Sequence, residues 1–135
     1  MWVVPRKILI VEDSGAARDA LVATVQSIPG FEAITTGSGF EALKLVTRYH
    51  FALIITEIVM PDINGLELIN FVKKNPNYRD TPLFVITSEG REQYREQGLA
   101  LGAAEYLLKP CEPAALQILL RRYLRIGSEG SPESS

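Results

Sequence analysis

FALIIT at residues 51–56, followed by Glu57 and then by MPDING at residues 60–65, decides the fold class of this chain. An unbroken apolar run of this length suits a strand covered on both faces, which is the situation in a parallel sheet. MPDING is turn chemistry. Asn64, with Glu67 three residues on, can cap a helix that ends before Pro76. A buried strand, a polar turn and a capped helix therefore follow one another directly.

The same unit recurs on either side. Residues 7–12 (KILIVE) read as a buried strand, and Ala17, Leu21, Val25 and Ile28 form a helical stripe that stops at Pro29-Gly30. Residues 31–36 are a second strand, and Ser38 with Glu41 is a capping-box signature for a helix reaching about Tyr49. Residues 81–87 contain a fourth strand, with Pro82 tolerated at its start. A polar helix over 89–101 is weakened by Gly98, which costs about 1 kcal/mol relative to alanine. Residues 104–108 are a fifth strand, and Glu112-Pro113 opens a last helix to Leu124 with proline at the favourable first position. Strands alternating with helices predict an α/β fold: a flavodoxin-like, doubly wound, five-stranded parallel sheet of order 2-1-3-4-5 with helices on both faces. One domain spans 1–125. The Gly/Ser/Glu-rich stretch 126–135 reads as a flexible tail or the start of a linker.

Composition narrows the function classes. A chain of 135 residues buries one core without staples. A single cysteine, Cys111, and a single histidine, His50, exclude an internal disulfide and any His/Cys metal cluster. Cys111 reads as a small, partly buried filler, and Trp2 as part of a loosely packed terminus. A net charge of −2 gives no reason to expect nucleic-acid binding. No apolar run reaches bilayer-spanning length, and MWVVP is too short for a signal-peptide core. The expectation is a soluble cytoplasmic protein with neither nucleic acid nor membrane as a partner. No P-loop or GxGxxG is present.

Polar residues end four of the strands: Glu12-Asp13, Thr56-Glu57, Thr87-Ser88 and Lys109-Pro110. In the order 2-1-3-4-5 these strands are neighbours, so the groups converge on the carboxyl edge where such sheets hold ligands. Carboxylates gathered there repel one another. A Mg²⁺ ion, which takes carboxylate and carbonyl oxygens, would relieve this together with the Lys109 ammonium.

The ordered set VED, TEIVMPDING, VITS and EYLLKP, with its spacing, resembles the receiver domain of bacterial two-component response regulators, chemotaxis regulators among them, over roughly residues 7–124. The resemblance implies roles for single residues. Glu12 and Asp13 would be the acidic metal-binding pair, and Glu57 and the backbone carbonyl of Val59 would complete the Mg²⁺ ligands. Glu57 stands at the phospho-acceptor position. Thr87 would be the hydroxyl that follows the phosphoryl group, Lys109 its cationic partner and Tyr106 the aromatic switch. The Lys109–Pro110 bond would be cis, which proline permits.

Such receivers are phosphorylated on aspartate, and here the residue is glutamate. The extra methylene moves the carboxylate about 1.5 Å outward, and a misplacement of about 1 Å can cost roughly a hundredfold in rate. The longer side chain also brings its oxygens toward Lys109 and Thr87, where it mimics part of the charge of a phosphoryl group. The resemblance thus implies a phosphorelay receiver of atypical kind, not an enzyme, acting as a constitutive or phosphorylation-independent protein-interaction switch. Its partner would dock on the face of Tyr94, Tyr106 and the last helix, and would be a sensor histidine kinase or a second copy of the chain. The alternatives are a conventional phospho-accepting receiver whose aspartate has been replaced, naturally or by engineering, and an inert scaffold. An aspartyl phosphatase is disfavoured because Asp13 is the sole aspartate after the first strand. The turns also lack the phosphate cradle of a flavin module.

Overall fold

A computed structural model of the chain describes residues 4–125. Trp2 and the expected tail at 126–135 lie outside the described residues. In chain order the elements are β1 (Arg6–Val11), α1 (Gly15–Gln26), β2 (Phe31–Thr36), α2 (Gly39–Arg48), β3 (Phe51–Thr56), α3 (Gly65–Lys74), a short 3₁₀ turn (Pro76–Tyr78), β4 (Leu83–Thr87), α4 (Glu92–Leu101), β5 (Glu105–Leu108) and α5 (Pro113–Leu124). The strands pair in the order β2-β1-β3-β4-β5, all parallel, which is the expected flavodoxin-like topology.

Side chains alternate across each strand, so the aliphatic runs feed two separate cores. Leu9, Val11, Ile54 and Val85 pack beneath α2 and α3 with Leu45, Leu68 and Val72. Ile8, Ile10, Leu53, Ile55, Phe84 and Ile86 face α1 and α5 through Leu21, Val25, Leu116 and Leu120. One irregularity sits at the start of β3. Lys7 pairs with Phe51 and Ile8 with Leu53, which leaves Ala52 as the extra residue of a bulge. Tyr78, from the 3₁₀ turn, is fully buried, and its hydroxyl lies 2.8 and 2.7 Å from the carbonyl oxygens of Val46 and Tyr49.

Two expectations about helix starts need correction. At α2 the Ser38 side chain accepts the Glu41 N–H at 3.1 Å. The Glu41 carboxylate, however, takes the Thr36 hydroxyl instead of reaching back to Ser38, so only half of that capping box forms. At α3 the box is complete, with Asn64 Oδ1 accepting from Leu66 N–H at 2.7 Å and Glu67 from Asn64 N–H at 3.2 Å. Helix α4 begins at Glu92 and not at Glu89, because the Glu89 carboxylate turns back to accept the Arg91 N–H at 3.0 Å and holds the loop out of helical form.

Among the described residues, no helix is long and apolar enough to cross a membrane.

Candidate functional site

The site is built at the carboxyl ends of β1, β3, β4 and β5, which end in Val11, Thr56, Thr87 and Leu108. Backbone bonds close the sheet just beneath it. Glu57 N–H donates to Val11 C=O at 3.0 Å and Lys109 N–H to Thr87 C=O at 2.9 Å, so both residues leave their strands in register. Glu12, Glu57 and Thr87 are all buried.

At the centre stands Lys109. Its ammonium lies 2.7 Å from Glu12 Oε1 and 2.8 Å from Glu57 Oε1. Glu12 Oε1 is buried and accepts no well-directed hydrogen bond, so its close neighbour is a charge rather than a dipole. Its other oxygen, Oε2, accepts the Ser14 N–H at 3.1 Å. The second oxygen of Glu57 is turned into the backbone of its own loop, accepting Ile58 N–H at 2.7 Å and Val59 N–H at 3.2 Å.

Burial alone would raise the pKa of Glu57. The Lys109 and Thr87 side chains and the Val59 and Ile58 amides outweigh it and hold the carboxyl below its ordinary value. Burial likewise opposes the charge on Lys109, and the Glu12 and Glu57 carboxylates reverse that and raise its pKa. Both groups are therefore charged across the physiological range.

The expected site residues divide into two sets. Glu12, Glu57, Thr87 and Lys109 come together as anticipated, and the Lys109–Pro110 bond is cis. Asp13 and Val59 are exposed, with Val59 at 62% on the rim. Ser88 is exposed as well. Among the described residues no three Asp, Glu, His or Cys side chains lie close enough to hold a metal ion. Of the expected Mg²⁺ set, Glu12 and Glu57 are buried and meet at Lys109, while Asp13 and Val59 lie on the exposed rim. The donors are hard oxygens of the right kind, but the ammonium stands between the two buried carboxylates, Glu57 is engaged by its own backbone, and Asp13 is out in solvent.

Tyr106, on β5, is half-buried and its hydroxyl donates to the Glu89 carbonyl at 2.7 Å. Glu89 N–H in turn donates to Thr87 Oγ1 at 3.0 Å. Thus the hydroxyl beside Glu57 and the aromatic ring of β5 are joined through one residue of the β4–α4 loop. Arg91 pins that loop. Its guanidinium makes paired bonds of 2.9 and 2.8 Å to the Glu89 carboxylate and lies 4.8 Å from the centre of the Tyr94 ring.

Two features of the site escaped sequence reasoning. One is the Arg91–Glu89 fork, whose only sequence trace is a charge pair two residues apart. The other is Asp62, counted merely as turn chemistry, which accepts from Ser38 Oγ at 2.6 Å, from Gly39 and Phe40 N–H at 3.0 Å each, and from Ile63 N–H at 2.8 Å.

An open parallel α/β domain, with acidic side chains and one lysine meeting at the carboxyl edge and a hydroxyl and an aromatic ring on the next two strands, is the architecture of a phosphorelay switch module. Residues 8–121 match the response regulator receiver domain family, and the chain belongs to that family. It is similar to a chemotaxis protein CheY homolog of Campylobacter jejuni, 33% identical over 129 residues that cover 94% of this chain and 99% of that protein. Among solved structures it resembles the chemotaxis response regulator CheY4 of Vibrio cholerae, with 32% identity, a TM-score of 0.80, and coverage of 89% of this chain and 99% of that one. It also resembles the receiver domain of a sensor histidine kinase of Pseudomonas aeruginosa, solved with a magnesium ion coordinated in its active site cleft. That pair shares 25% identity at a TM-score of 0.81, over 91% of this chain and 100% of the other. The chain is accordingly a CheY-like receiver domain of two-component signalling.

Proposed function

We propose that Glu57 occupies the phospho-acceptor position and that this receiver works without being phosphorylated, as a protein-interaction switch held in one state by its own side chains. The observation that carries the reading is the bridge of Lys109 between Glu12 and Glu57, at 2.7 and 2.8 Å. A lysine already neutralised by two buried carboxylates has little left to offer an incoming phosphoryl group, and Glu57 is held by that lysine and by the Ile58 and Val59 amides. Each must be released before the carboxylate can attack, which adds to the geometric penalty of the longer side chain. Lys109 supplies the positive charge that a divalent ion would otherwise provide, so Mg²⁺ is not required for the resting arrangement. On this reading the domain is not an enzyme, and it acts in the cytoplasm.

The output side is consistent with a switch kept in one position. Tyr106 is drawn in against Glu89, and the neighbouring surface of β5 and α5 carries Leu108 at 52% and Ile118 at 59% exposure. Exposed apolar side chains beside a buried switch suit a protein partner. That partner binds across Tyr94, the edge of Tyr106 and α5, and is a sensor histidine kinase or a second copy of the chain.

The test is incubation with acetyl phosphate and Mg²⁺ followed by intact mass. No added phosphoryl group is expected. A stoichiometric gain mapped to Glu57 would overturn the reading in favour of a conventional acceptor.

A further inference from the structure

The segment between β3 and α3 forms one wall of the site, and it is pinned more firmly than its sequence suggests. At its base Gly65 N–H donates to Ile58 C=O at 2.8 Å, and the approach is so close that a Cβ on Gly65 would stand 2.2 Å from the Glu57 carbonyl oxygen. Midway, Asp62 reaches across to the start of α2. Its two oxygens take the Ser38 hydroxyl and the N–H groups of Gly39 and Phe40. These are orphan donors of a helix N-terminus, where a negative charge is favoured. Contact there is tight: a Cβ on Gly39 would lie 2.4 Å from Ile63 Cγ1. Ser38 still caps its own helix through Glu41 N–H, so α2 does not need Asp62 to begin. The bonds to Asp62 serve the loop.

Those bonds have a consequence at the other end of the loop. The amides of Ile58 and Val59, which donate to Glu57 Oε2, belong to the same loop as Asp62. We infer that Asp62 is a positioning residue, coupling the N-terminus of α2 to the Glu57 carboxylate by holding the β3–α3 loop so that the Ile58 and Val59 amides stay on Glu57. The inference rests on the reading of Glu57 as a fixed anion and adds the element that fixes it. A movement of α2 would then reach the site directly, without passing through Tyr106.

Amide exchange and amide proton shifts of the intact domain test this, comparing Asp62→Ala, Asp62→Asn and Glu57→Ala with the parent chain. Removing bonds to a charged acceptor is expected to raise exchange of the Ile58, Val59 and Ile63 amides by roughly tenfold or more in Asp62→Ala. Val85 and Leu9, in the central strands, should stay unchanged. The Ile58 and Val59 proton shifts should move toward those of Glu57→Ala, in which the acceptor is gone. Asp62→Asn keeps one acceptor oxygen, so it should fall between the two and guards against a poorly folded alanine variant. Unchanged Ile58 and Val59 signals in both Asp62 variants would overturn the inference. So would a uniform rise in exchange across loop and sheet, because Asp62 would then be a stabilising cap and nothing more. Phosphoryl uptake by the parent chain bears on the functional reading alone, so the two can fail separately.

Discussion

The Lys109 ammonium lies 2.8 Å from Glu57 Oε1, and both side chains are largely withdrawn from water, Lys109 retaining 26% of its exposure and Glu57 5%. Glu12 shares the same ammonium at 2.7 Å, so one cation serves two buried anions. Removing it leaves the carboxylates facing each other without compensation. Lys109→Met is expected to destabilise the domain by about 3 kcal/mol, at the lower end for a broken buried pair because Lys109 keeps some contact with solvent. Denaturant unfolding measures this. Adding Glu57→Gln to Lys109→Met should recover part of the loss, and a double variant no more stable than the single one would contradict the electrostatic account.

Shortening the acceptor should restore chemistry. Glu57→Asp draws the carboxylate back by about 1.5 Å, away from Lys109 and the loop amides and toward the depth an acyl phosphate needs. With acetyl phosphate and Mg²⁺ this variant is expected to gain one phosphoryl group by intact mass, whereas the parent chain gains none. Equal labelling of the two, or of neither, would show that side-chain length is not the deciding factor.

Gly98 is where α4 passes over Tyr106. A Cβ there would stand 3.3 Å from Tyr106 Cδ2, tight enough that the ring must give. Alanine improves helix propensity by about 1 kcal/mol. In Gly98→Ala that gain should be largely cancelled, and the Tyr106 ring resonances should shift as its bond to Glu89 weakens. Stabilisation by the full propensity difference with unmoved Tyr106 signals would show that the ring and α4 are not coupled.

Acid should loosen the two loops that flank the site. Asp62 is held well below its ordinary value by the Ser38 hydroxyl and then by the amides of Phe40, Gly39 and Ile63. Arg91 holds Glu89 down at about 2. A folded-state pKa below the unfolded one means the stabilisation is complete above the unfolded values, 3.8 and 4.5, and is lost as pH falls through the folded ones. The Asp62 carboxylate faces solvent and Glu89 is partly buried, so added salt should shrink the Asp62 contribution most. Urea midpoints followed from about pH 5 to about pH 2 should decline less steeply in Asp62→Asn than in the parent chain. Parallel curves would remove Asp62 from the acid response.

Much of this architecture was legible in the amino-acid order. Aliphatic runs such as FALIIT predict strands buried on both faces, and with helical stripes between them right-handed crossovers leave few topologies, of which the order 2-1-3-4-5 leads and places the site at the carboxyl edge. The residue types that reach that edge, Glu12, Glu57, Thr87 and Lys109, could be read from their places at strand ends, because a strand end in this topology has one place to go.

Which of those residues actually meet was decided by tertiary structure. Asp13 follows Glu12 in the chain yet is exposed, while the Glu12 carboxylate is buried and takes the Ser14 N–H. Glu41 takes the Thr36 hydroxyl and not the Ser38 N–H, which itself donates to Thr36 Oγ1 at 3.1 Å. Asp62 finds the start of α2 across a gap in sequence that no local pattern spans. Pairings of this kind depend on distances of a fraction of an ångström between side chains on different elements. The packing of the two cores sets those distances, and composition, periodicity and spacing do not encode them locally.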